Sequence, residues 1–305
     1  MTNQPLRIVS LLPSATELAV ALGLEGNLVG RSHECDFPPA VKALPVCTST
    51  KLEKGLSSQA IEDRVKAIVE KGLSVYDVDA ALLRALRPDV ILTQAQCAVC
   101  AVTPADLEEA LAAWVGTPPV LVSLAPDDLS DVYGDLQRVA DAAGVPDRAA
   151  PAAARMQAGI AALPQPGVAR PTMLAVEWME PLMVAGNWVP ELVRAAGADP
   201  LLADPGVHSH WITFDAIAAA DPDIIALMPC GYQLGQTLPE ARALLAEPQW
   251  QALRAVREGR VFAVDGHHLF NRPGPRLVES AEVLACLVHT PDDVPERLAP
   301  FIARL

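Results

Sequence analysis

The sequence predicts an α/β protein of two lobes, each built on a parallel sheet and joined by a long helical spacer. Three observations predict it. Short apolar runs alternate with helix-spaced runs in both halves of the chain, which is β-α-β grammar. That alternation stops between residues 125 and 163, where only helical spacing remains. One unit, helix then Pro-Asp then buried strand, occurs twice, as LLRALRPDVIL at 82–92 and AIAAADPDIIAL at 216–227. The expected boundaries are 1–124 for the first lobe, 125–163 for the spacer and 164–305 for the second lobe. A length of 305 residues is long for one core and agrees with two.

The elements follow in order. RIVSLL (7–12) reads as a buried strand and PSATELAVALGL (13–24) as a helix, with Ser14 as N-cap, Glu17 three residues on and Gly23 as the stop. NLVG (27–30) is a strand, DAALLRALRP (79–88) a helix and DVILT (89–93) a strand. TPADLEEALAAW (103–114) is a capped helix and PVLVSL (119–124) a strand. In the spacer, Leu129, Val132, Leu136, Val139 and Ala143 keep helical spacing. Gly144 and Pro146 interrupt them, and a second, Ala-rich helix runs to Leu163 before the linker PQPGVARP. In the second lobe TMLAVE (172–177), DIIALM (223–228) and RVFAVDG (260–266) are strands. VPELVRAAG (189–197), TFDAIAAADP (213–222) and GPRLVESAEVLACLV (274–288) are helices.

Composition narrows the function. A net charge of −14 repels phosphate backbones and anionic lipid heads, so neither nucleic acid nor a membrane surface is expected as partner. No apolar run reaches the length of a membrane span. MTNQPLRIVSLLPS lacks the pattern of a secretory signal, so a cytoplasmic protein is expected if Met1 is the natural start, and an extracytoplasmic one if a signal has been removed. Six cysteines in so long a chain do not make a disulfide framework.

Ligands of open parallel sheets bind outside the carboxyl ends of the strands. The segments following the expected strands are PSAT, RSHECDFP, QAQCAVC, EWMEP, PCGYQ and DGHHLFNRPGPR, with HSHW ahead of a helix. Five of the six histidines and four of the six cysteines fall in them, which marks these loops as a binding surface. Cys97 and Cys100 form a lone CxxC. With His33 and Cys35 they have the chemistry of a zinc, copper or iron site, and His208 and His210 add to it. No second CxxC completes a structural zinc pattern. The pair precedes the next helix rather than opening it, which is wrong for a thioredoxin-like thiol. A pocket rim is the favoured reading of this stretch, with Gln94, Gln96 and Cys97 lining it. GxSxG and a glycine-rich phosphate loop are both missing, so a non-enzymatic protein is expected.

IVSLLPSATELAVALGLEGNLVG, LRALRPDVIL, EWMEPLMVAGNWVPELVRAAGA, DPDIIAL and FNRPGPRLVESAEVLA occur in this order. Together they resemble the ABC-transporter binding proteins for cobalamin, haem and ferric siderophores, and most of all the cobalamin-binding branch. The resemblance implies a class III periplasmic-binding-protein-like fold: two Rossmann-like lobes, one long rigid helix joining them, and the ligand in the cleft between. It implies a corrinoid ligand, walled by Phe37, Trp178, Trp188, Trp211, Tyr232 and Phe270. Ser14 from the first strand-end loop joins this set. Gln94, Gln96, Asn187, Gln233, Asn271 and Arg272 would meet the corrin amides, and His267 or His268 would approach cobalt. The alternative is a haem, ferric siderophore or zinc held by the strand-end His and Cys residues. The family docks on its transporter through an acid seven positions before the Pro of each Pro-Asp unit. Asp215 matches in the second lobe; Ala81 stands there in the first, with Asp77 and Asp79 nearby.

Overall fold

A computed structural model describes residues 5–52, 56–69, 75–94, 107, 114, 117–165 and 169–305. The chain divides into two compact units. The first comprises Met1–Leu56, Ala60–Pro126 and Ser130–Arg155; the second comprises Ser57–Gln59, Asp127–Leu129 and Met156–Leu305.

In the first unit β1 (Ile8–Ser10), β2 (Leu28–Arg31), β5 (Val90–Gln94) and β6 (Val120–Leu124) form a parallel sheet in the order β2-β1-β5-β6. β1 and β5 are buried along their whole length, which is why both read as unbroken apolar runs. Val9, Leu11, Leu83 and Ile91 form the core on one face. β3 (Thr48–Thr50) and β4 (Tyr76–Val78) make a separate antiparallel pair that the sequence pattern does not announce. The first helix spans Pro13–Ala21 with Leu12 as its N-cap, so Ser14 is a buried first-turn residue rather than the cap. Proline suits this start because its missing N–H would have no partner there anyway. Gly23, at φ 73°, ends the helix as expected. The expected helix 103–114 lies outside the described residues apart from Leu107 and Trp114.

The segment 125–163 contains no strand and holds two helices, Leu129–Ala142 and Ala149–Ala161. Gly144 at φ 70° and the turn Pro146–Arg148 part them, so a single long helix is replaced by two shorter ones.

The second unit carries β7 (Thr172–Met179), β8 (Leu182–Val184), β9 (Asp199–Pro200), β10 (His210–Trp211), β11 (Ile224–Leu227), β12 (Val261–Val264) and β13 (Ile302–Arg304). Their order is β10-β8-β7-β11-β12-β13, with β9 also on β7. The centre is parallel, but β8 and β13 run against it and β10 pairs antiparallel with β8, so this sheet is mixed where a wholly parallel one was expected. Only Glu180 and Pro181 connect β7 to β8, too short for the crossover that parallel pairing needs. Trp250, fully buried, anchors the core on one side of this sheet.

The repeated sequence unit is repeated in the structure. Asp79 and Thr213 each cap a seven-residue helix by accepting the backbone N–H three residues on. Arg87 and Asp221, at φ 45° and 38°, end those helices in the left-handed region. The prolines that follow disfavour helical continuation. Asp89 then accepts the Arg7 N–H at 2.8 Å, and Asp223 the Thr172 N–H at 2.8 Å. Each Pro-Asp carboxylate thus pins the start of the neighbouring strand. Burial would raise the Asp223 carboxyl, but bonds from Thr172 and the Arg254 guanidinium hold it below the usual range. Asp223→Ala removes the bonds from the Thr172 N–H and hydroxyl and an ion pair to Arg254 at 2.8 Å. A loss of about 2 kcal/mol is expected in urea unfolding.

Candidate functional site

The loops at the carboxyl ends of the first sheet form a polar chain. Thr16 donates to the Ser10 hydroxyl at 2.8 Å and lies 3.1 Å from the Cys35 sulfur. Thr48 donates to Ser32 at 3.1 Å, so the 2.8 Å contact between Thr48 and His33 is donated by His33 Nδ1. The His33 ring packs 5.7 Å from Tyr76. Gln94 ends β5 and is buried. Phe37 is 40 % exposed.

These positions answer the metal expectation in part. Cys35 is fully buried beside Thr16 while His33 engages Thr48, so the two side chains are committed to different surroundings. Gln96, Cys97 and Cys100 lie outside the described residues, and with them the rest of that candidate set. Cys35, Cys47, Cys230 and Cys286 are thiols rather than disulfides. Burial pushes the Cys47 thiol up to about 11, which leaves it inert.

In the second unit three carboxyl-end loops are strapped together. The Cys230 N–H reaches the Glu177 carbonyl at 3.1 Å, joining the loop after β11 to β7. The Tyr232 carbonyl accepts the N–H groups of Gly266 and His267, both at 2.9 Å, joining it to the loop after β12. A Cβ on Gly266 would stand 2.1 Å from the Pro229 carbonyl oxygen, so this approach admits only glycine. Asp265 Oδ1 accepts the N–H groups of His267 and His268 at 3.0 and 2.7 Å, and its carboxylate meets His268 Nδ1 at 3.1 Å. Burial would raise this carboxyl, but the bonds and charge from His268 hold it below the usual range. His268 therefore donates from Nδ1 to the Asp265 carboxylate. Arg272 lies 3.1 Å from His267 Nε2; guanidinium only donates, so that nitrogen accepts.

The candidate walls separate into two groups. Trp178 and Tyr232 meet edge to face at 5.5 Å, nearly buried, and the Trp178 indole N–H has no hydrogen-bond partner among the described residues. Trp211 on β10 is 51 % exposed. Trp188 and Phe270 instead belong to the interior: Phe270 is fully buried, and its carbonyl accepts the Trp188 indole N–H at 2.7 Å. The amide candidates are similarly employed. The Asn271 amide nitrogen reaches the Gly266 and Met228 carbonyls, Asn187 sits at φ 52° with its backbone tied to Val207, and Gln233 opens the helix Leu234–Ala246. Burial, with the Glu240 carboxylate beside it, pushes the Tyr232 phenol up, so it remains a neutral donor.

One group was missed. Glu177, within β7, accepts the Ser209 hydroxyl at 2.6 Å, and Ser209 in turn accepts the Gly186 N–H at 2.9 Å. Burial pushes the Glu177 carboxyl up to about 7 despite the Ser209 bond. The signal available was a carboxylate inside the apolar run TMLAVEWM.

Asp215 stands exposed in the first turn of helix Phe214–Ala220. In the first unit Ala81 is exposed, Asp77 pairs with Lys51 at 3.2 Å and Asp79 is the helix cap. Among the described residues no helix is long and apolar enough to cross a membrane.

Known proteins resemble this chain along most of its length. An uncharacterized ABC transporter substrate-binding lipoprotein, YvrC of Bacillus subtilis, is 26 % identical over 294 residues, covering 93 % of this chain and 80 % of its own. A vitamin B12-binding protein of Photorhabdus laumondii is 52 % identical over 40 residues, 13 % of this chain and 14 % of its own. The structure of the periplasmic heme-binding protein RhuT from Roseiflexus sp. RS-1 superposes with a TM-score of 0.66 at 26 % identity, covering 93 % of this chain and 98 % of its own. The model of the family described as periplasmic binding protein matches residues 8–267. The chain belongs to the periplasmic binding protein family.

Proposed function

We propose that this protein is a non-enzymatic, extracytoplasmic substrate-binding protein of the ABC-transporter type, and that its cargo is a corrinoid gripped through the carboxyl-end loops. The observation that carries the choice of ligand is the Trp178 indole N–H, buried without an acceptor among the described residues. An orphaned buried donor costs about 1–3 kcal/mol, and a ligand rich in amide carbonyls relieves that cost. A corrin ring carries such a fringe of amides. Haem carries propionates, which call for a cation, and Arg272 here is engaged with His267. The short, closely matching stretch of a B12-binding relative supports the same reading. Exposed Asp215 supplies the transporter contact on the second unit alone.

The test is calorimetric titration with cyanocobalamin, repeated with haemin. One-to-one corrinoid saturation is the expected result. Trp178→Phe keeps an aromatic ring and removes the donor; it should weaken corrinoid binding about tenfold while the protein stays folded in a thermal melt. Haemin binding without corrinoid binding overturns the choice. It favours a second reading, in which His268, backed by the Asp265 carboxylate as metal-ligating histidines usually are, meets haem iron.

A further inference from the structure

The first sheet has a second concave feature at its amino end. A cavity of about 610 Å³ is lined there by Arg7, Arg84, Arg87, Asp89, Trp114 and Thr117, among others. Its size falls in the range of small-molecule sites, about 300–1,000 Å³. Arg7 immediately precedes β1 and Asp89 immediately precedes β5. The carboxyl-end loops leave the other end of the same strands, so this cavity is no part of the site described above.

Its lining is cationic. Three guanidiniums face one carboxylate, in a chain whose net charge is −14. Arg7 is fixed in place: its Nε donates to the Leu86 carbonyl at 2.7 Å and its backbone N–H to Asp89 at 2.8 Å. That leaves its two terminal nitrogens for another acceptor. Arg84 and Arg87 make no ion pair and no side-chain hydrogen bond among the described residues. The Trp114 indole N–H is tied to the Thr117 carbonyl at 3.0 Å, which holds the ring at the cavity wall. Unpaired guanidinium forks match the two-oxygen edge of a carboxylate or phosphate. A net charge of −14 repels anions from the protein as a whole, so a positive concavity concentrates them locally.

We propose that this cavity is a second ligand site, for a small organic or inorganic oxyanion of two or more charges. Phosphate-bearing and carboxylate-bearing molecules share that chemistry.

The experiment is titration calorimetry at low ionic strength with two probes, inorganic pyrophosphate and citrate, on the wild-type chain and on Arg84→Gln/Arg87→Gln. Both arginines are exposed, so the double variant keeps the fold. The expected result is saturable one-to-one binding that weakens at least about tenfold in the double variant. Cyanocobalamin binding should stay unchanged, which separates this site from the carboxyl-end loops. Arg87→Lys, which keeps charge but loses the fork, should fall between the two. Binding of pyrophosphate alone assigns a phosphate-bearing ligand, and of citrate alone a carboxylate-bearing one. No saturable heat with either probe, or equal affinity in the double variant, overturns the proposal.

Discussion

Glu177→Gln should stabilise the protein at pH 8 and leave it unchanged below pH 4.5. The Glu177 carboxyl is raised from 4.5 to about 7 because burial penalises its charge and only the Ser209 hydroxyl offsets that penalty. A raised acid favours the folded state while protonated. Its contribution is therefore complete below the unfolded value of 4.5, falls as pH rises, and is gone above about 7. A shift of this size corresponds to roughly 3 kcal/mol. Glutamine keeps an acceptor for Ser209 and cannot ionise, so the variant should melt on the order of 5–10 °C higher at pH 8. Thermal melts at pH 4 and pH 8 check it; an equal gain at both would show that charge is not the cause. Asp135 on the helix Leu129–Ala142 is raised to about 6 by burial, despite its bond to Arg138, so its pH-dependent loss ends earlier than that of Glu177.

Gly266→Ala should damage stability and ligand binding together. The added Cβ meets backbone at 2.1 Å from the Pro229 carbonyl oxygen and at 2.8 Å from that of Met228, and neither is a flexible side-chain end. The loops after β11 and β12 must separate, which strains the bonds from Gly266 and His267 to the Tyr232 carbonyl. Overpacking of this kind costs about 3 kcal/mol at its upper end. The same displacement moves Tyr232 and His268 relative to Trp178, so under the proposed function corrinoid affinity should fall roughly a hundredfold or more. Urea unfolding and cyanocobalamin titration on one preparation measure both. A variant that loses stability but binds normally would exclude these loops from the ligand surface.

The two Pro-Asp units were legible because their logic is local: a cap, a seven-residue helix, a proline stop and an apolar strand all lie within about a dozen residues. The strand-end segments were legible less evenly: β7 runs on through Glu177 and Trp178 to Met179, and His210–Trp211 is itself a strand, β10. What the sequence concealed is non-local. β8 and β10 have three and two residues, too few for a period, and exist only through their pairing with β7 and with each other. The helix Leu234–Ala246 contains Pro239, which reads as a breaker. At the site, residue type misled where a side chain serves the interior. Phe270 and Trp188 have the chemistry of a ligand wall and pack inside; Asn271 has that of an amide partner and ties loops. Glu177 went unnoticed although its carboxylate interrupts the apolar run TMLAVEWM, because its partner Ser209 comes from far along the chain.

The straps among the second unit's loops bear on how cargo preference evolves. The Tyr232 carbonyl, the Asp265 carboxylate and the Asn271 amide already satisfy the backbone groups nearest them. Under the proposed function, a ligand arriving there has little chain to order, so capture spends little entropy on folding loops. Side chains such as Trp178, Trp211 and His268 can then be exchanged on a backbone that holds its own shape. A backbone held by its own bonds in this way lets the contact surface vary without renegotiating the fold beneath.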